Sequence, residues 1–161
     1  MKERSIIRNA AQVKMLQRGA IQIRVPVKDP HHYGCLTGDC PHERLCDCDA
    51  WLATQSPFGL VGDRLRVGDA EIVELTEDAR AERVQTISES DARAEGITDG
   101  GCLTCGRSEP CRCDNPRPDA RDAYIHYWDW DASYADKGYA WITNPWTWVV
   151  KVRRVEERDV R

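Results

Sequence analysis

The chain has 161 residues, and its 23 Lys and Arg against 27 Asp and Glu give a formal net charge of −4, which excludes a globally basic nucleic-acid coat protein but not a local basic face. A hydrophobic content of 41% and a charged content of 31% exclude wholesale disorder. No apolar run approaches the length of a membrane span or a signal peptide, so we expect a single cytoplasmic domain without a membrane partner.

Periodicity and turn signals divide the chain into short helices and strands. Asn9 and Ser88 are suited to cap helices, and Gly68-Asp69 is a hairpin signal between two apolar runs. The predicted elements are a helix over 10–18, a half-buried strand over 20–27, a helix over 50–54, strands over 60–67, 70–75 and 83–87, a helix ending at 96, a helix over 118–130, an aromatic loop over 138–145 and a strand over 146–155. Strands outnumber helices, which favours a small barrel or a strongly bent sheet with flanking helices.

Eight cysteines fall into two segments of similar sequence, at about 31–49 and 100–118. Gly-Cys-Leu-Thr opens both sets, and a C-x-C-Asp sequence closes both. The spacings are C-x4-C-x5-C-x-C and C-x2-C-x5-C-x-C, formed by Cys35, Cys40, Cys46, Cys48, Cys102, Cys105, Cys111 and Cys113. We interpret the segments as a repeated knuckle inserted twice into one domain spanning 1–161.

Four thiolates in each short segment suit a tetrahedral zinc ion, and a reducing compartment favours metal binding over disulfides. The sequence therefore predicts two structural zinc ions, which would stabilise loops too polar to form a core. A single mixed site and disulfides between the segments remain alternatives, and His31, His32 or His42 could replace one cysteine. A saturated four-thiolate site has no open position for a catalytic water, so this metal is not expected to do chemistry.

Several short motifs outside the cysteine segments occur in an order that resembles the ASCH family of the PUA-like fold, especially its phage-encoded members. The motifs are MKER at 1–4, LQRG at 16–19, a strand with Gln22 and Arg24, VGDRLRVG at 61–68, ISESDARAEGI at 87–97, GYAW at 138–141 and NPWTWVV at 144–150. The resemblance covers most of the chain outside the two insertions. It implies an α+β fold, a small PUA-like β-barrel with flanking helices, with a cleft that accommodates RNA or a modified nucleoside.

Some small members of the family resemble amidohydrolases that remove the acetyl group from N4-acetylcytidine. Their motif combines a Lys and a Thr on the first strand with a Glu at the end of a later helix. Glu95 matches that Glu, but Ala20 stands at the Lys position, and Ile21 and Ile23 stand at the Thr positions. Because alanine can be neither a base nor a nucleophile, the family-type catalytic centre is incomplete.

The candidate ligand-binding residues come from the strands, the later helix and the aromatic loop. Guanidinium groups on alternate strand positions could form a phosphate-binding strip, although a solvated strand face is the simpler interpretation. A carboxylate at a helix C-terminus could accept from a base amine, and loop aromatics could stack on bases, although core packing competes for the tryptophans. These candidates are Gln22, Arg24, Arg64, Arg66, Glu95, Tyr139 and Trp141.

Our leading hypothesis is that this domain binds RNA or a modified nucleotide without catalysis. One alternative is an N4-acetylcytidine-type amidohydrolase that uses Glu95. The other is a phage protein that binds and inhibits a host factor in the host-cell cytoplasm through an acidic surface. Bound zinc thiolates would add further negative charge, so nucleic-acid binding would need a local basic patch.

Overall fold

A computed structural model describes residues 3–38, 48–68, 71–97 and 120–155 of the chain. The strands are β1 (Glu3–Ile7), β2 (Gln22–Pro26), β3 (Arg64–Val67), β4 (Glu71–Leu75), β5 (Arg80–Arg83) and β6 (Trp146–Arg154). The α-helices are α1 (Ala10–Gln17), α2 (Gly34–Thr37), α3 (Cys48–Gln55), α4 (Glu89–Ala94) and α5 (Ala120–His126). A π-helical turn (Tyr127–Asp131) continues α5, and short 3-10 turns include Val84–Thr86 and Trp141–Thr143.

Within the described residues, the strands form one curled sheet in the order β1-β3-β4-β6-β2, with β5 also paired to β6. All pairs are antiparallel except β1 with β3. The long strand β6 pairs with β2 over Thr147–Lys151, with β5 over Trp146–Val149 and with β4 over Val152–Arg154. Because β6 is shared in this way, the sheet curls into a half-barrel with helices packed around it, consistent with the expected small α+β barrel.

The two predicted helix caps and the predicted hairpin are confirmed. The side chain of Asn9 accepts a hydrogen bond from the Gln12 amide at the start of α1, and that of Ser88 accepts from the Asp91 amide at the start of α4. Strands β3 and β4 pair antiparallel from Val67 opposite Glu71. These features depend on residues close in sequence, which is why local patterns identify them.

The prediction of a half-buried strand over 20–27 is wrong about which side chains are buried. Alternation along this strand predicts Ile21 and Ile23 on the buried face and Gln22 and Arg24 on the solvated face. In the structure Gln22 and Arg24 are 1% and 0% exposed, whereas Ile21 is 58% exposed. Ile23 is buried as predicted. The reason is that α4 and α5 cover the polar face of β2, so both faces of this strand are enclosed.

Three other predicted boundaries differ from the structure. The strand expected over 60–67 begins at Arg64. The strand expected over 83–87 ends at Arg83, since β5 covers Arg80–Arg83 and a 3-10 turn follows. The helix expected over 118–130 is α-helical from Ala120 to His126 and π-helical beyond. Strand β1 was not predicted, because its pairing partner β3 lies far away in sequence.

The core consists of two apolar clusters. The larger lies against the sheet and includes Ile23, Leu65 and Trp148, and the second lies between α4 and α5 and includes Tyr124 and Trp128. Trp128 is 0% exposed and Trp148 is 2% exposed, so the expectation that tryptophans fill the core holds for these two.

Most of the two cysteine segments lies outside the described residues, including Cys40, Cys46 and the four cysteines of the second segment. The predicted knuckle insertions are therefore not part of the architecture above. Among the residues that the structure describes, no helix is long and apolar enough to cross a bilayer.

We predict that Gly96→Ala lowers the free energy of unfolding by about 1–3 kcal/mol. Gly96 follows α4 with a φ of +98°, and an added Cβ would lie 2.9 Å from Met15 Sδ on α1. The measurement is urea unfolding of the variant and of Gly19→Ala, which shares the strain (φ +106°) but meets nothing within 4 Å. Equal losses of unfolding free energy in both variants would show that the close approach of the added Cβ to Met15 costs nothing beyond the backbone strain.

Candidate functional site

Arg24 is fully buried in β2, and three carboxylates surround its guanidinium group. Its Nη2 lies 2.9 Å from Glu82 Oε2 and 3.4 Å from Asp91 Oδ2, and its Nε lies 3.3 Å from Glu95 Oε2. The two Nη2 contacts are hydrogen bonds, whereas the Nε contact is an ion pair without hydrogen-bond geometry. A guanidinium at this depth is tolerated because it is paired, since an uncompensated buried ion costs several kcal/mol.

Two elements, β5 and α4, supply these carboxylates, and backbone pairing brings them to β2. Glu82 comes from β5, which pairs with β6, and β6 pairs in turn with β2. Asp91 lies in α4 and Glu95 caps its C-terminus. The Ile21 amide donates to the Ala94 carbonyl at 2.9 Å, which fixes the end of α4 against the start of β2.

Glu95 is the most enclosed of the three carboxylates, at 2% exposed. The Tyr124 hydroxyl donates to its Oε1 at 2.8 Å, and the Gln22 side-chain amide donates to its Oε2 at 3.1 Å. Burial raises the pKa of Glu95 to about 7, although Arg24 and both donors favour the charged form. The carboxyl group is therefore poised between its protonated and ionised forms near neutral pH.

The polar network continues from Arg24 to α1 and to the second apolar cluster. The Gln12 side-chain amide donates to the Arg24 carbonyl at 2.6 Å, and Gln12 Oε1 accepts from the Tyr134 hydroxyl at 3.1 Å. Burial also raises the pKa of Tyr124 well above its usual value, so this phenol stays protonated and acts as a donor. The network thus joins the strand, the helices and the π-helical region through hydrogen bonds inside the protein.

The charges in this cluster do not balance when every acid is ionised. Arg24 faces three carboxylates, and Arg80 contributes a second cation only by its contact with Glu82 at 3.1 Å. Protonation of Glu95 removes one negative charge from the buried part of the cluster, in keeping with its raised pKa. Glu82 and Asp91 keep 31% and 25% of their side chains exposed, so water stabilises their charges.

A cleft of about 480 Å³ opens beside this network. Its walls come from β2, α4, the C-terminal half of β6 and the connection between β4 and β5. The lining residues are Ile21, Gln22, Thr76, Glu77, Asp91, Ala94, Lys151, Val152 and Arg153. The cleft therefore presents two carboxylates, two cations and one amide next to apolar wall residues.

Gln22 belongs to both the buried network and the cleft. It lies opposite Lys151 in the β2–β6 register, so an amide and an ammonium group come from neighbouring strands. Its side chain is almost fully buried, and its Oε1 has no hydrogen-bond partner among the residues that the structure describes. Such an orphaned buried acceptor is uncommon in proteins and calls for a bound water or a ligand donor.

Both cations of the cleft contact carboxylates, and Arg153 Nη2 donates to both oxygens of Glu74 at 3.2 Å. Lys151 Nζ lies 3.6 Å from Glu77 Oε1, and Arg153 Nη2 lies 3.2 Å from Glu74 Oε2. Both basic side chains are partly exposed, at 33% and 51%. Ion pairs of this kind are worth little, so an anionic ligand can compete for these cations.

The structure brings together only part of the residue set expected from the sequence. Gln22, Arg24 and Glu95 converge, but Arg24 is buried among carboxylates and is not exposed to a phosphate. Arg64 and Arg66 lie on β3, which β4 and β6 separate from β2. The expected strip of three arginines is therefore not formed.

The aromatic candidates lie elsewhere. Tyr139 and Trp141 pack against the second apolar cluster, and neither lines the cleft. The Tyr139 carbonyl accepts from the Trp128 indole at 2.8 Å, and the Trp141 amide donates to Asp129 at 2.8 Å. The Arg121 guanidinium covers the Trp141 ring at 5.4 Å. These contacts give both residues a structural role in the loop.

Sequence reasoning missed Asp91, Lys151 and Glu82 as members of the site. Asp91 lies three residues after the predicted cap Ser88, a spacing typical of a capping box, and its backbone amide donates to Ser88 Oγ at 3.1 Å. The alternation of Lys151 and Arg153 along β6 was the available signal. This alternation does not reveal the strand register that places Lys151 opposite Gln22.

The predicted metal ligands can be compared with the structure at two positions, Cys35 in α2 and Cys48 at the start of α3. The other six cysteines lie outside the described residues. Over the part of the chain that is described, no group of three or more His, Cys, Asp or Glu side chains could hold a metal ion. Cys48 is disulfide-bonded. A disulfide is the oxidised form of cysteines that would bind zinc as thiolates in the reduced protein.

No protein-family model matches the sequence, and comparisons with curated proteins and with solved structures give no match either. The function is therefore argued from the geometry of the cleft and of the buried network.

We predict that the free energy of unfolding falls as the pH rises from about 4.5 to about 7, with a contribution from Glu95 of about 3 kcal/mol. The folded-state pKa is about 7 against a model value of 4.5, so the native state binds the extra proton and loses this stabilisation as the proton leaves. Urea unfolding between pH 5 and pH 8 measures the effect.

The matched control for this pH dependence is Glu95→Gln, which keeps the side-chain shape and cannot ionise. The difference in unfolding free energy between the wild type and this variant should shift in favour of the variant as the pH rises. An unchanged difference across that range would contradict a raised pKa of Glu95 in the native state.

Proposed function

We propose that the protein binds a nucleotide unit of RNA, standard or modified, in the cleft between β2, α4 and the C-terminal half of β6. The observation that carries the proposal is the buried Gln22 amide, which lines a cleft with Lys151 and Arg153 and whose oxygen lacks a partner within the described part of the chain. A base needs hydrogen-bonding groups on a buried wall, whereas a phosphate needs accessible cations. The cleft contains both.

The mixed charge of the cleft supports this ligand class over a simple anion. Glu77 and Asp91 balance Lys151 and Arg153 among the lining residues. A free inorganic anion would meet two carboxylates as well as two cations. A nucleotide separates its phosphate from a neutral, hydrogen-bonding base, so each part can face groups of suitable charge. The ASCH-like order of motifs is consistent with such a ligand.

We propose binding in preference to hydrolysis because of where Glu95 lies. Its pKa of about 7 would suit a general base. However, Gln22, Arg24 and Tyr124 occupy its oxygens, and it does not line the cleft. Release of cytidine from N4-acetylcytidine, lost in Glu95→Gln, would reverse this choice.

We also propose that the two cysteine sets bind structural zinc. Of the first set, Cys35 is half-buried at α2 and Cys48 begins α3, so two of its cysteines come from short helices, which pack on the larger apolar cluster through Leu36 and Leu52. Thiolate coordination would connect such helices and supply folding energy. The metal has no role in the proposed binding step.

For the binding proposal, we predict that Lys151→Gln combined with Arg153→Gln weakens the binding of short single-stranded RNA by about tenfold or more, because charge-assisted contacts to phosphate are lost. Fluorescence anisotropy at low salt measures the affinity, which should also fall as salt is added. The control variant is Lys28→Gln together with Arg18→Gln, two exposed cations outside the cleft.

Equal weakening in the cleft variant and the control variant would point to a general charge effect and would overturn the assignment of the cleft. Absence of binding to any RNA pool at low salt would overturn the proposed function itself.

For the metal proposal, we predict about two zinc ions per chain in freshly purified protein kept reduced, measured by elemental analysis. Cys35→Ser and Cys102→Ser should each lower the content by about one ion, since they belong to separate sets. Because Cys48 is disulfide-bonded in the structure, oxidised protein serves as the comparison and should lose zinc from the first set. A metal content near zero in reduced protein would contradict the proposal.

A further inference from the structure

The orientation of the Gln22 side-chain amide is set by its neighbour inside the protein. Gln22 Nε2 donates to Glu95 Oε2 at 3.1 Å, and no described residue donates to Gln22 Oε1 although the side chain is almost fully buried. A rotation of the amide by 180° would place its oxygen against a carboxylate oxygen. Ionised Glu95 can only accept hydrogen bonds, so it holds the amino group of Gln22 towards itself.

Glu95 is in turn held by two further groups. Tyr124 donates to the other carboxylate oxygen at 2.8 Å, and Arg24 Nε lies 3.3 Å from the oxygen that Gln22 contacts. Both contacts favour the ionised form and restrain rotation of the carboxylate. The unpartnered acceptor on Gln22 is therefore a consequence of a rigid buried arrangement.

The second acceptor of this wall is Asp91. It lines the cleft, its side chain is 25% exposed, and its contact with Arg24 is at 3.4 Å. The cleft thus contains the Gln22 amide and a carboxylate as well as the cations Lys151 and Arg153, with Lys151 opposite Gln22 on the neighbouring strand. Hydrogen-bond donors on a ligand would complement the acceptors, and a phosphate would complement the cations.

We infer that the cleft selects nucleotides whose base carries an exocyclic amino group, with Gln22 and Asp91 as the acceptors and Glu95 as the positioning residue that keeps the Gln22 oxygen available. This inference rests on the proposed function, because it specifies which nucleotides the same cleft binds. Cytosine and adenine offer an amino group to the acceptors. Uracil and hypoxanthine place a carbonyl oxygen at the equivalent position.

The discrimination follows from the cost of unpaired polar groups. A carbonyl oxygen facing the acceptors Gln22 and Asp91 gains no hydrogen bond and leaves the Gln22 acceptor unsatisfied. Sites that hydrogen-bond a ligand donor reject analogues lacking it, and we expect a ratio of about 10- to 100-fold here. The phosphate contacts are common to all four nucleotides and do not contribute to the ratio.

The test compares two pairs of nucleotides, CMP with UMP and AMP with IMP, which differ in the amino or carbonyl group. Calorimetric titrations are run at pH 8, above the pKa of Glu95. We expect the amino member of each pair to bind about tenfold tighter or more. Lys151→Gln should weaken both members of a pair equally and leave the ratio unchanged.

Two variants test the positioning role. In Glu95→Gln, residue 95 can donate as well as accept, so the Gln22 amide loses its fixed orientation and the CMP to UMP ratio should fall towards one. A merely structural role of Glu95 would lower both affinities and keep the ratio. In Asp91→Asn, one acceptor oxygen of the partly exposed side chain becomes an amino group, so the ratio should fall even if the Glu95 variant does not fold.

The outcomes separate this inference from the proposed function. If CMP and UMP bind equally tightly and both depend on Lys151, the inference is wrong while nucleotide binding in the cleft stands. If no nucleotide and no RNA binds at low salt, the proposed function is wrong and the inference falls with it. A wild-type ratio that persists in Asp91→Asn and in folded Glu95→Gln would remove both residues from the recognition.

Discussion

The burial of the Arg24 guanidinium determines how this fold is assembled. A cation with no exposed surface must meet carboxylates inside the protein, and here they come from β5, from within α4 and from the end of α4. Elements that are distant in sequence are thereby drawn to one strand. The face of β2 that would otherwise be solvated becomes an interface between the sheet and the helices.

The same arrangement connects the interior with the cleft through Gln22. Its amino group donates to Glu95, and its oxygen has no partner in the described ranges of the chain. A buried network that satisfied all of its members would leave only a smooth polar wall. The unsatisfied acceptor instead favours a ligand with a hydrogen-bond donor, next to two partly exposed cations. A network that stabilises the fold can in this way also take part in ligand recognition.

How much of this follows from the sequence depends on the distance between the interacting residues. The caps at Asn9 and Ser88 and the β3–β4 hairpin require only neighbours within a few positions, and local patterns identify them. The burial of Arg24 depends on Glu82, more than fifty positions away, and alternation along β2 contains no information about what covers each face. The sequence indicates Glu95 as a candidate ligand-binding residue, but its partner Tyr124 is known only once α5 is docked.

The cleft shows the same limit. Lys151 and Gln22 become neighbours only because β2 and β6 pair in one particular register, and a shift by one residue would move Lys151 to the other face of the sheet. Composition and spacing identify the kinds of groups available. They do not identify which of those groups meet.

Strand β6 has a consequence for the way the chain reaches this state. It is the common partner of β2, β4 and β5, and it follows all three in chain order. Until β6 joins them, the main-chain groups of these strands that face it have no partner, and such edges can pair wrongly with other chains. Most of the ladder is also non-local, which slows the search for the native topology. Assembly of the sheet is therefore a late event that depends on one strand. A chain that ended before β6 would expose several unpaired strand edges, each able to pair with another chain.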